Sequence, residues 1–220
     1  MTAKDLKLDY FRFYAVTHQW IGQWVTLQGQ FDEQPESVRA VWLGYFGNSA
    51  SKNGESLFNK FAHLTWLSVF DPAPEPYRQV VVENQFGQQT LIIGATVGLL
   101  APAQIIGAGA FPGKLDHFKV YRVLDGKPVD QSVTLKDQFR TDKVGVSAPV
   151  AFAVPVKKVH SGSAFTIQNK RAHLVIYRIT PVASPQSALI RDQFGRHEVS
   201  IRGSGILAVP SLKVEWKEVK

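Results

Sequence analysis

Apolar and polar residues alternate over most of this 220-residue chain, as they do in β-strands. Because successive side chains of a strand point to opposite faces of a sheet, a period of two indicates a strand between two different environments. The clearest runs are FKVYRV (118–123), SVTLKDQF (132–139) and KVGVSAPVAFAVPVKKV (143–159). Turn-forming residues separate such runs at SKNGE (51–55), DGKP (125–128) and HSGS (160–163). The pattern predicts an all-β protein.

Helical periodicity is weak by comparison. No stretch of a dozen residues keeps an apolar period of 3.6, and short helices near Gln34–Val38 or Glu55–Phe61 are the only candidates. We therefore expect helix to be a minor part of the fold.

Three sequence anchors recur along the chain and define repeats. The first anchor reads LDYFRFYAV (8–16), AHLTWLSV (62–69), LDHFKVYRV (115–123) and AHLVIYRI (172–179). The second anchor ends in Gln-Phe, and its glutamines are Gln30, Gln85, Gln138 and Gln193, spaced by 55, 53 and 55 residues. The third anchor reads LLAP (99–102), FAVP (152–155) and LAVP (207–210), with a degraded form, YFGNS (45–49), in the first repeat. This spacing predicts four internal repeats of about 54 residues.

The first anchor also pairs the repeats. Repeats one and three open with Leu-Asp, whereas repeats two and four open with Ala-His-Leu. A unit of two repeats has therefore been duplicated. We expect two similar two-repeat domains, residues 1–110 and 111–220, each a β-sandwich or barrel.

A long segment without charge, Gln85 to Gly113, raises the question of a membrane span. Its apolar part, residues 91–111, aligns with charged strand pairs in repeats three and four and contains Pro102 and four glycines. A helix that spans a membrane would need about 20 apolar residues without such interruptions. We expect strands here that are buried on both faces, or that meet another chain through an outer face.

Composition and charge narrow the function classes. The chain has no cysteine, which excludes disulfides, thiolate metal sites and thiol nucleophiles. Residues 1–110 hold 7 Lys/Arg against 9 Asp/Glu, and residues 111–220 hold 18 against 9, so the overall charge of +7 divides into −2 and +9. This asymmetry predicts an anionic partner for residues 111–220, for which the first half of another copy is one candidate. With no cysteine and no recognisable signal peptide, a cytoplasmic location is favoured, and export with a leader removed is the alternative.

The anchors resemble an uncharacterised family of tandem repeat domains in predicted exported bacterial proteins. Its members read roughly HFKCYKV, VTLxDQFG, LCNPVxKNGEG and HLTCYKI, and the matching segments here are LDHFKVYRV, VTLKDQF, FAVPV and NKRAHLVIYRI. The resemblance covers nearly the whole chain. It implies a fold and an organisation, and it carries no assigned activity.

The resemblance also implies pairs of facing residues. Two cysteines per repeat face each other in the family, and this chain replaces each of them. The matching pairs are Phe13 with Gly47, Trp66 with Leu100, Val120 with Ala153, and Ile176 with Ala208. Three of the four join a large side chain to Gly or Ala, as volume compensation in a core requires. We therefore expect the members of each pair to be in contact.

Recurring polar residues are candidates for a site or for a structural role. His63, His117 and His173, with Tyr10 in the first repeat, occupy one repeat position. They could share a metal or move protons, but a hydrogen bond from a strand start to backbone is the favoured interpretation. The glutamines of the second anchor could each bind a ligand. We favour caps on turn backbone, with the following Phe in the core and Gly87 and Gly195 at positive φ.

Nothing in the sequence forms a catalytic constellation. Gly-x-Ser-x-Gly and a phosphate loop are missing, and GSG (203–205) has the composition of a turn. The leading hypothesis is a non-enzymatic structural or interaction protein that associates with its own copies or builds a larger assembly, without a cofactor or metal. The alternatives are a carbohydrate-binding module that uses exposed tryptophans, among them Trp66, and, more weakly, binding of nucleic acid or another anionic surface by the basic half. The ligand or interface candidates are Trp20, Trp24, Trp42, Lys157, Lys158 and Arg171.

Overall fold

The computed structural model describes residues 3–70 and 72–219, and nearly all of its regular structure is β. One short helix, α1 (Ala3–Leu6), precedes the strands. The strands in chain order are β1 (Tyr10–Gln28), β2 (Glu36–Lys52), β3 (His63–Phe70), β4 (Arg78–Asn84), β5 (Gly87–Ile105), β6 (His117–Asp125), β7 (Gln131–Lys136), β8 (Thr141–His160), β9 (Ser163–Phe165), β10 (His173–Asp192) and β11 (Gly195–Glu218). The all-β prediction is confirmed. Residues 36–38 lie in β2, and 55–61 are not helical, so the two short helices considered from sequence are absent.

The strands that carry the first and third anchors form a closed antiparallel ring. The opening strand of each repeat pairs with the closing strand of the same repeat, in β1–β2, β3–β5, β6–β8 and β10–β11. It also pairs with the closing strand of the repeat before it, in β3–β2, β6–β5 and β10–β8. The pairing of β1 with β11 joins the first repeat to the last and closes the ring.

One connected apolar cluster fills the interior of this ring. It draws on the strands of all four repeats through residues such as Phe11, Leu64, Phe118 and Leu174, which occupy one repeat position. Leu6 and Leu8 join the same cluster from the segment before β1. Along each strand these residues alternate with residues that face out of the ring. This alternation is the physical reason for the period of two in the sequence.

The four facing pairs lie in this interior, and their predicted contact is confirmed. Each pair is a direct cross-strand neighbour: Phe13 with Gly47, Trp66 with Leu100, Val120 with Ala153, and Ile176 with Ala208. A Cβ at position 47 would lie 2.8 Å from Cε1 of Phe13, so the ring of Phe13 takes the volume that a larger residue at 47 would need.

Strands of the second anchor cover the outside of the ring as arms. The arm of each repeat pairs with the end of the closing strand two repeats away. These pairings are β1 with β8, β4 with β11, β7 with β2, and β10 with β5. Buried clusters under the arms complete the core.

The predicted boundary at 110/111 therefore runs through one continuous sheet. Each arm pairs with a strand from the other half of the chain, and β5–β6 and β1–β11 also join the halves. The halves share their sheet and their cores and do not close a sandwich or barrel each. The division of the sequence into two domains, 1–110 and 111–220, stays a prediction, and the shared pairing favours the opposite expectation that the halves fold only together.

The uncharged segment forms strand rather than helix. It contributes β5, whose residues Leu99–Ala103 are buried on both faces, as predicted. Within the part of the chain that the structure describes, no helix has the length and apolarity that a membrane span needs. The GSG sequence predicted as a turn is also strand, since Gly203 and Ser204 lie within β11 and pair with β1 and β10.

Candidate functional site

Three tryptophans predicted as a candidate site lie together on the outer part of the β1–β2 hairpin, which we call the tryptophan hairpin (residues 18–25 and 39–43). Trp20, Trp24 and Trp42 are 55%, 58% and 42% exposed, far more than large apolar side chains usually are. Trp20 and Trp42 are cross-strand neighbours, and their ring centroids lie 4.9 Å apart at an angle of 71°. This is the edge-to-face geometry that aromatic pairs prefer.

A cation and a bulge hold this arrangement. The guanidinium of Arg39 lies 5.3 Å from the ring centroid of Trp20, within the range of a cation–π contact. The strand register shifts between Trp20 and Gln23, where Gly22 has a φ of 64°. Glycine adopts that conformation at low cost, and a Cβ there would lie 2.7 Å from Nε1 of Trp20. Gly22 thus leaves room for the indole of Trp20 beside the bulge.

Trp66, the fourth tryptophan considered for ligand binding, is in a different environment. It is only partly exposed and packs against the core inside the ring, 5.7 Å from Phe13 by ring centroids. It is therefore part of the packing and not of the exposed aromatic surface.

The three basic candidates do not form one patch. Lys157 is exposed and lines a cavity of about 270 Å³ together with Gln30 and Lys170, and Arg171 is exposed beside it in the chain. Lys158 follows Lys157 in β8, points to the other face and is fully buried. Its Nζ contacts Oε1 of Gln193 and lies 4.6 Å from the ring centroid of Phe165. Burial lowers the pKa of Lys158 to about 7.

The recurring histidines and glutamines contact each other between repeats. His117 Nε2 lies 2.8 Å from Oε1 of Gln193, and the Tyr10 hydroxyl donates to Oε1 of Gln85 at 2.6 Å. Among the described residues, the predicted backbone bond is formed at this position only by His173, which donates from Nδ1 to the Arg171 carbonyl while its Nε2 faces the amide of Gln30. In each case the glutamine comes from the next repeat around the ring, so these contacts join repeats.

The prediction that these glutamines cap turn backbone is wrong. The residue before the glutamine makes the cap instead: Asn84, Asp137 and Asp192 each accept a hydrogen bond from the backbone N–H two residues ahead. Short polar side chains favour this local geometry. The other parts of the prediction are confirmed. The phenylalanines pack against the buried clusters, and Gly87 and Gly195 have φ values of 104° and 137°.

The second repeat breaks the pattern. Gln138 donates to Asn48 Oδ1 at 3.4 Å, and Nδ1 of the buried His63 has no hydrogen-bond partner among the described residues. Burial lowers the pKa of His63 to about 4, of His117 to about 3 and of His173 to about 4, so all three are neutral at physiological pH. Within residues 3–70 and 72–219, no three potential metal ligands cluster.

Sequence reasoning missed two fully buried cations. Arg12 and Lys119 occupy the same position of repeats one and three, beneath the arms. Arg12 Nη2 lies 2.7 Å from Asp142 Oδ2, and Lys119 Nζ lies 2.9 Å from Asp32 Oδ1 and 2.6 Å from Glu36 Oε2. A charged residue inside a short apolar alternation, as in FRFYAV and FKVYRV, was the signal that could have found them.

The fold defines a class of protein, an antiparallel β-repeat protein in which four units close one sheet. The chain belongs to a family described as a repeat of unknown function (DUF7450), whose model matches residues 63–210. The match covers repeats two to four, and repeat one has the same opening strand, arm and closing strand. No curated protein and no solved structure matches the chain.

Proposed function

We propose that this chain is a non-enzymatic interaction protein that associates with further copies of itself, with the tryptophan hairpin as the contact surface. The observation that carries the proposal is the exposure of Trp20, Trp24 and Trp42 on one hairpin. Single exposed apolar residues are normal, but a cluster of this kind is typical of an interaction site.

The chemistry of the tryptophan hairpin supports a protein partner. Trp and Arg are the residues most enriched where interfaces gain most of their binding energy. Arg39 lies beside the exposed tryptophans of the hairpin, since Trp24 and Arg39 are cross-strand neighbours. Phe70, the cross-strand neighbour of Arg39 on β3, is also exposed and enlarges the aromatic surface.

The distribution of charge supports a second copy as the partner. The first half carries −2 and the second +9, so two copies that meet through unlike halves gain electrostatic complementarity. Contacts between unlike surfaces continue into rings or filaments according to their geometry. The hairpin belongs to the less charged half, where desolvation costs least.

The test is light scattering coupled to size-exclusion chromatography over a range of concentrations at low and high salt. We expect wild type to associate and the double variant Trp20→Ala/Trp42→Ala to run as a smaller species. Phe58→Ala is the matched control, since Phe58 is an equally exposed aromatic residue outside the hairpin. A wild type that is monomeric at every concentration and salt would overturn the proposal.

Carbohydrate binding is the second candidate, and the exposure of the three indoles favours it. Sugar rings stack on free indole faces, yet Arg39 covers part of Trp20, and Trp20 and Trp42 pack edge to face rather than side by side. A panel of oligosaccharides, screened by quenching of tryptophan fluorescence, distinguishes the two candidates. Saturable quenching in wild type but not in Trp24→Ala would favour the sugar.

A further inference from the structure

The ring has a groove at the end where its opening strands finish, and we call this the end groove. It measures about 1240 Å³, which is large enough for an organic ligand of ordinary size. Tyr45, Val150 and Ile206 line it and also pack against the cluster inside the ring. The groove is therefore an apolar extension of the ring interior, and the open end of a closed sheet is a common place for a ligand.

Irregular strand pairing keeps the end groove open. The register between β10 and β11 shifts between Arg178 and Val182, and that between β10 and β8 shifts on either side of Tyr177. Such shifts bend strands and are over-represented next to binding sites. Gly205 also lines the groove, and a Cβ there would meet nothing within 4 Å. The groove thus has free space directly beside the backbone of Gly205.

Two arginines give the end groove its charge. Arg178 and Arg202 line it and are exposed, and among the described residues neither side chain forms an ion pair or a hydrogen bond. The acidic residue in the lining is Asp130, which leaves a net positive charge. Ser147 and Thr180 add hydroxyl groups. A guanidinium without a partner is suited to bind a carboxylate or a phosphate with two parallel hydrogen bonds.

We propose that the end groove binds an amphipathic organic anion. Its apolar body lies on Tyr45, Val150 and Ile206, and its acidic group is bound by Arg178 and Arg202. Apolar surface and unpaired positive charge in one groove favour a ligand that has both parts, since a neutral apolar molecule leaves the arginines unused and a small ion leaves the apolar floor wet.

The experiment is isothermal titration of the intact protein with sodium octanoate, octyl phosphate and 1-octanol. The two anions distinguish a carboxylate from a phosphate ligand, and the alcohol has the same chain without charge. We expect at least one anion to bind and 1-octanol to bind at least tenfold more weakly. We expect Arg178→Ala to weaken binding of that anion at least tenfold, which is about 1.4 kcal/mol, because the acidic group loses a charge-assisted pair with the guanidinium.

Arg122→Ala is the matched control. Arg122 occupies in repeat three the position that Arg178 occupies in repeat four, it is exposed, and it does not line the groove. Its removal is expected to leave binding unchanged. Gly205→Phe is a second variant that fills the groove without removing charge, and it is expected to abolish binding with an unchanged circular dichroism spectrum.

Three results would overturn the proposal: no heat from either anion, equal affinity for 1-octanol, or equal binding by wild type and Arg178→Ala. The tryptophan hairpin is a separate surface. Trp20→Ala/Trp42→Ala is therefore expected to bind the anion as wild type does, whatever its effect on association.

Discussion

Lys119 shows how a single residue links three repeats through charge. Burial alone would lower its pKa, but Glu36, Glu75 and Asp32 outweigh burial and hold the pKa above its usual value. We predict that Lys119→Met lowers the free energy of unfolding by about 3–5 kcal/mol, because it leaves three partly buried carboxylates without this cation. Urea unfolding measures the change. Arg122→Met, at an exposed position of the same strand, is the control, and a loss below about 1 kcal/mol at 119 would contradict the prediction.

Lys158 is the opposite case, a buried amine whose pKa falls to about 7. In the unfolded chain a lysine titrates near 10.4, so between pH 7 and that value the unfolded state binds more protons than the folded state. Stability contributed by this site therefore rises with pH from about 7 upwards. We predict that Lys158→Met raises stability at pH 7 and flattens the rise between pH 7 and 9.5, measured by urea unfolding.

The neighbouring residue supplies the control for this pH dependence. Lys157→Met removes the same charge from an exposed position of the same strand and is expected to leave the slope as in wild type. If Lys158→Met and Lys157→Met changed the slope equally, the buried position of Lys158 would not be its cause.

At the scale of elements, neighbouring strands of the ring contain cross-strand pairs at which a disulfide can be introduced. Directly opposed residues of antiparallel strands have Cα atoms about 4.5–5.5 Å apart, within the range of a disulfide. We predict that Val120→Cys/Ala153→Cys forms a disulfide on oxidation and stabilises the protein by about 2–4 kcal/mol. Thermal unfolding with and without reductant measures the gain.

A cysteine pair that is shifted by one residue along β8 tests whether the strand register determines which disulfide forms. Val154 is opposite Lys119 and faces the other side of the sheet from Val120. Val120→Cys/Val154→Cys is therefore expected to keep two free thiols under the same oxidation. A disulfide in the shifted pair, or none in the first, would mean that β6 and β8 pair in another register.

The elements differ in how far the sequence could predict them. The facing pairs, such as Val120 and Ala153, were accessible through the resemblance, because they stand at the positions of the family's facing cysteines. The strand with which each arm pairs could not be predicted, since VTLKDQF has the same local pattern whether it packs on its own repeat or on one two places away. The end groove was missed for a related reason, because it depends on register shifts near Arg178 and Val182 that no local pattern records.

At the scale of the whole molecule, the ring and the arms couple the two halves of the chain. All four arms pair with strands of the other half of the chain. Two further pairings, β5–β6 and β1–β11, join the two halves within the ring. A half on its own would expose unpaired strand edges and the apolar residues beneath missing arms. The internal duplication thus remains visible in the sequence although the product is one interlocked sheet.

We therefore predict that residues 1–110 and 111–220, expressed separately, do not fold, and that co-expression restores a complex with the far-ultraviolet spectrum of the intact protein. The opposite net charges of the halves, −2 and +9, favour their encounter at low salt. Cooperative thermal unfolding of either half alone would contradict the prediction. It would show that two repeats form a closed core by themselves. The exchange of arms between the halves would then have evolved after each half was already a stable fold.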